Sequence, residues 1–296
     1  MVQCAAKMAL GLSTKQPTPH RPREGGGGSS APGPFFESTM NFSGVSAPRA
    51  YTGQSMTRLV IATRNAHKVR EIRAILGERF QYLTLSDFPD APKTIEDADT
   101  FAGNATKKSV ELAHRLARAG NAECGMRNAE RYVLADDSGL EVDALQGAPG
   151  VHSARFAAMH EDGDRSTAPA AGNTSDVANN ARLLRLLKDV PPEKRTARFR
   201  CVLALTPVLP PMQKGSSPVC YADEAELETE LFEGVCEGRI GLAARGQGGF
   251  GYDPLFIPDG YQESFGELGG EVKNRLSHRA RALAKLRERM LLKTLT

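Results

Sequence analysis

Between Arg58 and Leu292, short apolar runs alternate with segments whose apolar positions recur every three or four residues, the rhythm of strands and helices. Leu59-Val60-Ile61-Ala62 predicts a buried strand, and the polar run Thr63-Arg64-Asn65-Ala66-His67-Lys68 a turn. Val69, Ile72, Ile75 and Leu76 then follow at helical spacing until Gly77. Thr100 predicts the cap of a second helix, with Phe101, Ala105, Leu112 and Leu116 on one stripe and Gly120 beyond its end. Tyr132-Val133-Leu134 reads as a buried strand that stops at Asp136-Asp137, where Ser138-Gly139 predict a turn. A turn is expected at Pro149-Gly150-Val151 and a surface loop over 160–176. Leu183, Leu184, Leu186 and Leu187 predict a short helix closed by Pro191-Pro192. Phe199 to Leu205 predicts a strand, 207–219 a loop, and Leu231 to Glu237 with Arg239 to Ala243 the arms of a hairpin. A last helix is expected from about Ser277 to Leu292. Strands interleaved with helices, some strands hairpin-linked, predict an α/β fold on a mixed sheet.

Upstream the rhythm is missing. Residues 1–57 carry Gly25 to Gly28, Ser29-Ser30, Pro32 and Pro34, and few branched apolar side chains. Such a segment buries too little surface to offset its ordering entropy, so it is expected to be a disordered extension. Met1 to Leu12 lacks the long apolar core of a secretory signal, while the first acid is Glu24, as in an organelle leader. A tail, or an over-long start with Met56 as the true initiator, is the preferred reading. The expected domain is therefore 58–296, and no internal repeat is visible.

Composition adds limits. A chain of 296 residues, 40% hydrophobic, can build one sizeable core or two lobes sharing a sheet. A net charge of +3 argues against nucleic acid or a membrane surface as partner. No apolar run approaches the roughly 18 residues that span a bilayer. Five scattered cysteines without a close-spaced pair fit reduced thiols in the cytoplasm, with Cys201 in the core.

Four constellations carry candidate chemistry. Asp136 and Asp137 are adjacent like charges beside a core strand, tolerable if exposed or if a hard cation such as magnesium sits between them. An acidic turn is the plainer alternative. The loop Thr63 to Lys68 joins a strand to a helix N-terminus, a natural anion site, although Asn65 could be a simple cap and Lys68 solvated. Asn104, Lys108, Glu111 and Arg115 share a helix face that is either solvated or, together with Glu96, turned toward a phosphate and a cation.

Gly246-Gln247-Gly248-Gly249-Phe250-Gly251-Tyr252-Asp253-Pro254 matches Gly-x-Gly-x-x-Gly, but Pro254 and Leu255-Phe256-Ile257 force an extended continuation instead of a dinucleotide-binding helix. The loop would present Phe250 to a planar base and Asp253 to its edge, or simply bury Phe250. Lastly, His278, Arg279 and Arg281 follow the cap Ser277, where the helix dipole disfavours cations. A ligand at that helix start would remove the conflict.

In order, Ala62-Thr63-x-Asn65-x-x-Lys68, Thr100-Phe101-x-x-Asn104-Ala105-x-x-Lys108, Ala135-Asp136-Asp137-Ser138-Gly139-Leu140, Gly147-Ala148-Pro149-Gly150-x-x-Ser153-Ala154-Arg155, Gly249-Phe250-Gly251-Tyr252-Asp253-Pro254 and Lys273-Asn274-x-x-Ser277-His278-Arg279 closely resemble the inosine triphosphate pyrophosphatase family. The resemblance spans about residues 58–292. It implies an elongated, two-lobed α/β fold around a long mixed sheet, with the site in the cleft between lobes, and a homodimer. It also implies hydrolysis of deaminated purine triphosphates (ITP, dITP, XTP) to the monophosphate and pyrophosphate.

By that likeness, residues Thr63 to Lys68 and Lys108 hold the triphosphate, Asp137 is general base and, with Glu96, a magnesium ligand. Ser138 lies against the substrate, and Phe250, Gly251, Tyr252 and Asp253 with Lys273, His278 and Arg279 form the base pocket. Arg64 stands where the family usually has glycine, His67 replaces a small residue, and Ser109 replaces an alanine. The stretches near 119–131, 160–176 and 207–226 look like added surface loops. Competing readings are a pyrophosphatase for modified pyrimidine triphosphates (the septum-inhibitor-like family) and a purine nucleotide-binding module without catalysis.

Overall fold

The computed structural model describes residues 56–91, 93–119, 131–159, 173–209 and 228–293. The N-terminal extension and most of the three added loops lie outside these residues.

Six strands form one mixed sheet in the order β2-β1-β3-β4-β5-β6: β1 Arg58–Ile61, β2 Gln81–Thr84, β3 Arg131–Val142, β4 Thr196–Pro207, β5 Glu230–Ile240 and β6 Phe256–Pro258. β1 runs parallel to both β2 and β3, and the β3-β4-β5-β6 pairings are antiparallel. The helices are α1 Ala66–Leu76, α2 Phe101–Arg118, α3 Asp176–Leu186, α4 Phe265–Leu276 and α5 His278–Lys293. The expected mixed-sheet α/β class is what the chain builds.

The predicted caps form as local chemistry dictates. Asn65 caps α1, its side chain accepting from His67 and Lys68 N–H, and Gly77 ends the helix with φ of 69°. The Thr100 side chain accepts from Gly103 N–H at the start of α2.

Two strand expectations are corrected. β3 does not stop at the two aspartates but runs through them and Ser138-Gly139 to Val142, held by antiparallel pairing with β4, in which Asp136 faces Leu203 and Asp137 faces Val202. Nor do residues 231–243 form a hairpin: β5 is one strand from Glu230 to Ile240. Gly238, which reads as a turn residue, is a point of close approach, where an added Cβ would lie 2.4 Å from the Ile257 carbonyl oxygen of β6.

Strand alternation puts different cores on the two faces. On one face, Leu134, Leu203 and Leu205 pack with Ile72 of α1 and Leu283 and Leu286 of α5. Further along that face, Leu140, Val142 and Phe199 pack with Leu183, Phe256 and Phe265. Asp136 and Ser138 fall between these clusters, on the same face of β3. The opposite face packs Val133 and Ala135 against Leu112, Ala113 and Leu116 of α2. Gly234 of β5 lets α5 sit low over the sheet, since a Cβ there would lie 2.0 Å from the His278 carbonyl oxygen. Among the described residues no helix is long and apolar enough to cross a membrane.

Candidate active site

β1 ends at Ile61 opposite Leu134, while β3 continues for eight more residues. Among the described residues, the stretch of β3 just beyond that point has no strand beside it on the side where the chain leaves β1 for α1, until Leu140 N–H meets Ser153 Oγ and Glu141 bridges to Pro149. A crevice at the C-terminal end of a parallel strand is where α/β sheets bind ligands. Here it is a cavity of about 630 Å³, and every residue predicted for the site lines it except Ala66, the exposed first residue of α1.

The two aspartates point to opposite faces, because they are consecutive in a strand. No cation is needed between them. Asp136 is 3% exposed and takes Arg279 Nε at 2.7 Å, Ser138 Oγ at 2.9 Å, the Cys201 thiol at 3.3 Å and the Lys68 ammonium. Burial would raise its pKa, but Arg279 and Lys68 outweigh burial and hold it well below the usual carboxylate range.

Asp137 faces α2. Lys108 Nζ lies 2.8 Å from its Oδ1, and Asn104 Nδ2 3.4 Å from its Oδ2. Here burial prevails: it pushes Asp137 above its ordinary value, and Lys108 and Lys68 offset only part. Lys108 also stands 3.6 Å from Glu96 Oε1, so two carboxylates converge on one ammonium. Burial would lower Lys108, but Asp137 and Glu96 outweigh it and raise its pKa. Asn104 and Lys108 on the α2 face are thus engaged with β3 and the Glu96 segment rather than solvated. Asn104 is fully buried and also holds the Ala98 N–H and carbonyl, which fixes the segment carrying Glu96. Arg155 adds a hydrogen bond to the Glu96 carbonyl at 3.0 Å.

In the loop after β1, Asn65 is the helix cap already described, and Thr63 Oγ1 accepts from Asn65 N–H. Lys68 is not solvated; it reaches Asp136. Arg64 turns to the Ala91 carbonyl at 2.9 Å. The His67 ring lies tilted against Phe250, centroids 5.1 Å apart.

Phe250 is half-buried, with Lys273 Nζ 4.3 Å and Arg279 Cζ 5.8 Å from its ring centre. Asp253 is occupied inside the protein: its Oδ2 takes Phe250 N–H at 2.7 Å and Lys273 Nζ at 2.6 Å. Burial raises its pKa, Lys273 countering only in part. Tyr252 is a core residue whose hydroxyl donates to the Ser153 carbonyl at 2.8 Å. Both Gly251 hydrogen bonds go to α3, to Asp176 and Asn180.

The cationic start of α5 is balanced from within the protein, which corrects the argument that a ligand must resolve it. Arg279 is 1% exposed and is shared by Asp136 and Glu71, the latter at 2.5 Å. Arg281 donates to the Val235 carbonyl, and His278 is kept neutral by burial and then by Arg279 and Lys273, all lowering its pKa. Its ring stacks on Phe199 at 4.8 Å.

Glu71 escaped sequence reasoning. It joins Lys273 at 2.8 Å to Arg279, and these two cations outweigh burial to lower its pKa. Its place three residues after Lys68 on α1 was the available signal. Also unforeseen was α4, which carries Lys273. Its Ser264-x-x-Glu267 capping box contains Gly266 and is followed by Gly269 and Gly270, and these glycines mask the helical period.

The chain is 41% identical over 232 residues to the dITP/XTP pyrophosphatase of Desulforamulus reducens, covering 78% of this chain and 94% of that one. To the dITP/XTP pyrophosphatase of Geobacter sulfurreducens it is 44% identical over 236 residues, covering 79% and 97%. Among solved structures, a HAM1 protein from Coxiella burnetii matches with a TM-score of 0.58 and 30% identity, over 80% of this chain and 99% of that one. The Ham1 protein of Staphylococcus aureus matches at 0.57 and 31%, over 80% and 100%. Residues 59–289 match the Ham1 family, and the chain belongs to it.

Proposed function

We propose that this protein hydrolyses deaminated purine nucleoside triphosphates (ITP, dITP and XTP) to the nucleoside monophosphate and pyrophosphate, removing them from the cytoplasmic nucleotide pool. The observation that carries the reading is the meeting, in one cavity, of a buried carboxylate of raised pKa with an aromatic ring backed by two cations. The names of the dITP/XTP pyrophosphatase relatives support the same substrate class.

In this reading Asp137 takes the proton of the attacking water, a task suited to a carboxylate whose pKa burial has raised. The new P–O bond forms at the α-phosphorus, the bond to the bridging oxygen breaks, and pyrophosphate leaves with that oxygen. Lys108 holds Asp137 in place and in its ionised form, while Lys68, freed from Asp136 by a competing anion, neutralises phosphate charge.

The donors fit a magnesium ion. Asp137 and Glu96 both lie against the Lys108 ammonium, a place that favours positive charge, and magnesium is held by one or two carboxylates plus substrate phosphates and water rather than by a full protein cage. Bound to those carboxylates, the ion would supply charge neutralisation to the triphosphate. For the base, Phe250 offers a stacking surface, and donors on Lys273, His278 and Arg279 suit a 6-oxo group but not the 6-amino group of adenine. The family likeness extends the proposal to a homodimer, which sedimentation of the full chain would test.

The test is pyrophosphate release from ITP, dITP, XTP, ATP, GTP, dTTP and UTP, with and without magnesium. Release confined to the deaminated purines and dependent on magnesium is expected. Preference for a pyrimidine, or binding of ITP without release, would overturn the assignment.

A further inference from the structure

The glycine loop that carries Phe250 is gripped from outside by α3, a helix with no part in the chemistry above. Asp176 and Asn180 are one helical turn apart and so share a face. Asp176 Oδ2 accepts the Gly251 N–H at 2.6 Å, and Asn180 Nδ2 donates to the Gly251 carbonyl at 3.0 Å. Both peptide groups flanking Gly251 are thus fixed, one of them being the peptide that begins at the Phe250 carbonyl. Ser175 caps α3 by accepting from Ala178 N–H, and Leu183 anchors the helix in the core. Asn179, between the two grips, ties α3 to Ala157 N–H at 2.8 Å. The clamp is therefore rigidly seated, and Asp176 itself lines the cavity.

We propose that Asp176 and Asn180 are positioning residues for base recognition: by holding Gly251 they set the plane in which Phe250 meets a purine. The inference rests on the nucleotide reading of the cavity. Gly251 has φ of 62°; Asp253 holds the Phe250 N–H and the Tyr252 hydroxyl is bonded in the core, so what remains to be restrained is the turn at Gly251 itself. The two α3 side chains supply that restraint. Loss of the clamp should weaken binding of the base half of a ligand and leave the phosphate half alone, a split that general loosening of the fold does not produce.

Titration calorimetry of the full chain with IMP and with inorganic tripolyphosphate reads this directly. In the Asp176→Ala/Asn180→Ala variant, IMP affinity should fall about tenfold while tripolyphosphate affinity stays within about twofold. Asp176→Asn keeps an acceptor for Gly251 and should recover most of the loss seen with Asp176→Ala. In a Phe250→Ala background, the clamp substitutions should add nothing to the loss of IMP affinity. If the double variant does not fold, Asn180→Ala alone carries the same test with a smaller drop. Unchanged IMP affinity, equal losses for both ligands, or a full additional loss without Phe250 would overturn the clamp. A wild-type chain that binds tripolyphosphate but not IMP would overturn the purine reading, and the clamp with it.

Discussion

Asp136 and Asp137 are neighbours on β3, yet one turns toward α1 and α5 and the other toward α2. On the first face, Asp136 meets Arg279 and Lys68, Glu71 meets Arg279 and Lys273, and Asp253 meets Lys273. Charges there are nearly all paired, and the result is a rigid wall on that side of the cavity. On the second face, Asp137 has one lysine at hydrogen-bond distance, shared with a Glu96 whose side chain is 41% exposed. Full compensation drives one carboxylate down in pKa, and partial compensation leaves its neighbour raised. A buried charge that is over-paired holds structure together, and one that is under-paired can take a proton.

The sharpest way to break this contrast is to remove each charge in turn. Asp137→Asn should cut pyrophosphate release from ITP by about 10²- to 10⁴-fold, the usual worth of a general base, and move the melting temperature by no more than about 4 °C. Asp136→Asn should instead lose stability, about 3–5 kcal/mol, because Arg279 is left buried with half its partners. A thermal scan without nucleotide should show this as a drop of roughly 10 °C. Asp136 has a lowered folded pKa, so its contribution is present above the ordinary carboxylate value and lost only as pH falls through the lower folded one. The stability lost in Asp136→Asn relative to the wild type should therefore stay constant from pH 5 to 8. Similar losses of both stability and turnover in the two variants would erase the distinction between the faces.

A smaller effect is expected at Lys108. Removing its charge in Lys108→Met leaves the burial of Asp137 opposed mainly by Lys68, so its pKa should climb further. The acid limb of the kcat/KM profile for ITP should move to higher pH than in the wild type, whatever the loss in absolute rate. A limb that stays in place would show that Asp137 is not the group titrating there.

How much of this was legible in the sequence follows the same division. Periodicity placed α1, α2, the core of β4 and α5, because their apolar positions repeat cleanly and their caps are local. The end of β3 was misjudged since two charges and Ser-Gly normally mark a turn, whereas here long-range partners on α1, α2 and α5 neutralise the charges and let the strand continue. β5 looked broken at Gly238 because a strand glycine needed for the approach of β6 and a turn glycine are the same letter. The site residues came from motif order, and the cavity gathers all of them but Ala66. Their partners were less visible: Glu71, Asp176 and Asn180 act through contacts 71 to 208 residues away that no local pattern encodes.

The mildest test concerns His278, the neutral member of the fully paired face. Its ring stacks on Phe199 with 15° between planes, and its Nδ1 is buried without a hydrogen-bond partner. Burial beside Arg279 and Lys273 holds its pKa well below the ordinary histidine value. The unfolded chain takes up a proton near pH 6.5 and the folded chain does not, so this residue makes stability fall as pH drops below that value. His278→Phe keeps the stacked ring and removes the titration. In urea melts without nucleotide, it should lie within about 1.5 kcal/mol of the wild type at pH 7.5 and lose less stability than the wild type on going to pH 5.5. Asp136 and Glu71, both lowered, stay ionised across that interval and do not blur the comparison. Equal losses in the two proteins would mean that His278 carries a proton in the folded state, and that the base pocket holds one more positive charge than the paired face can balance.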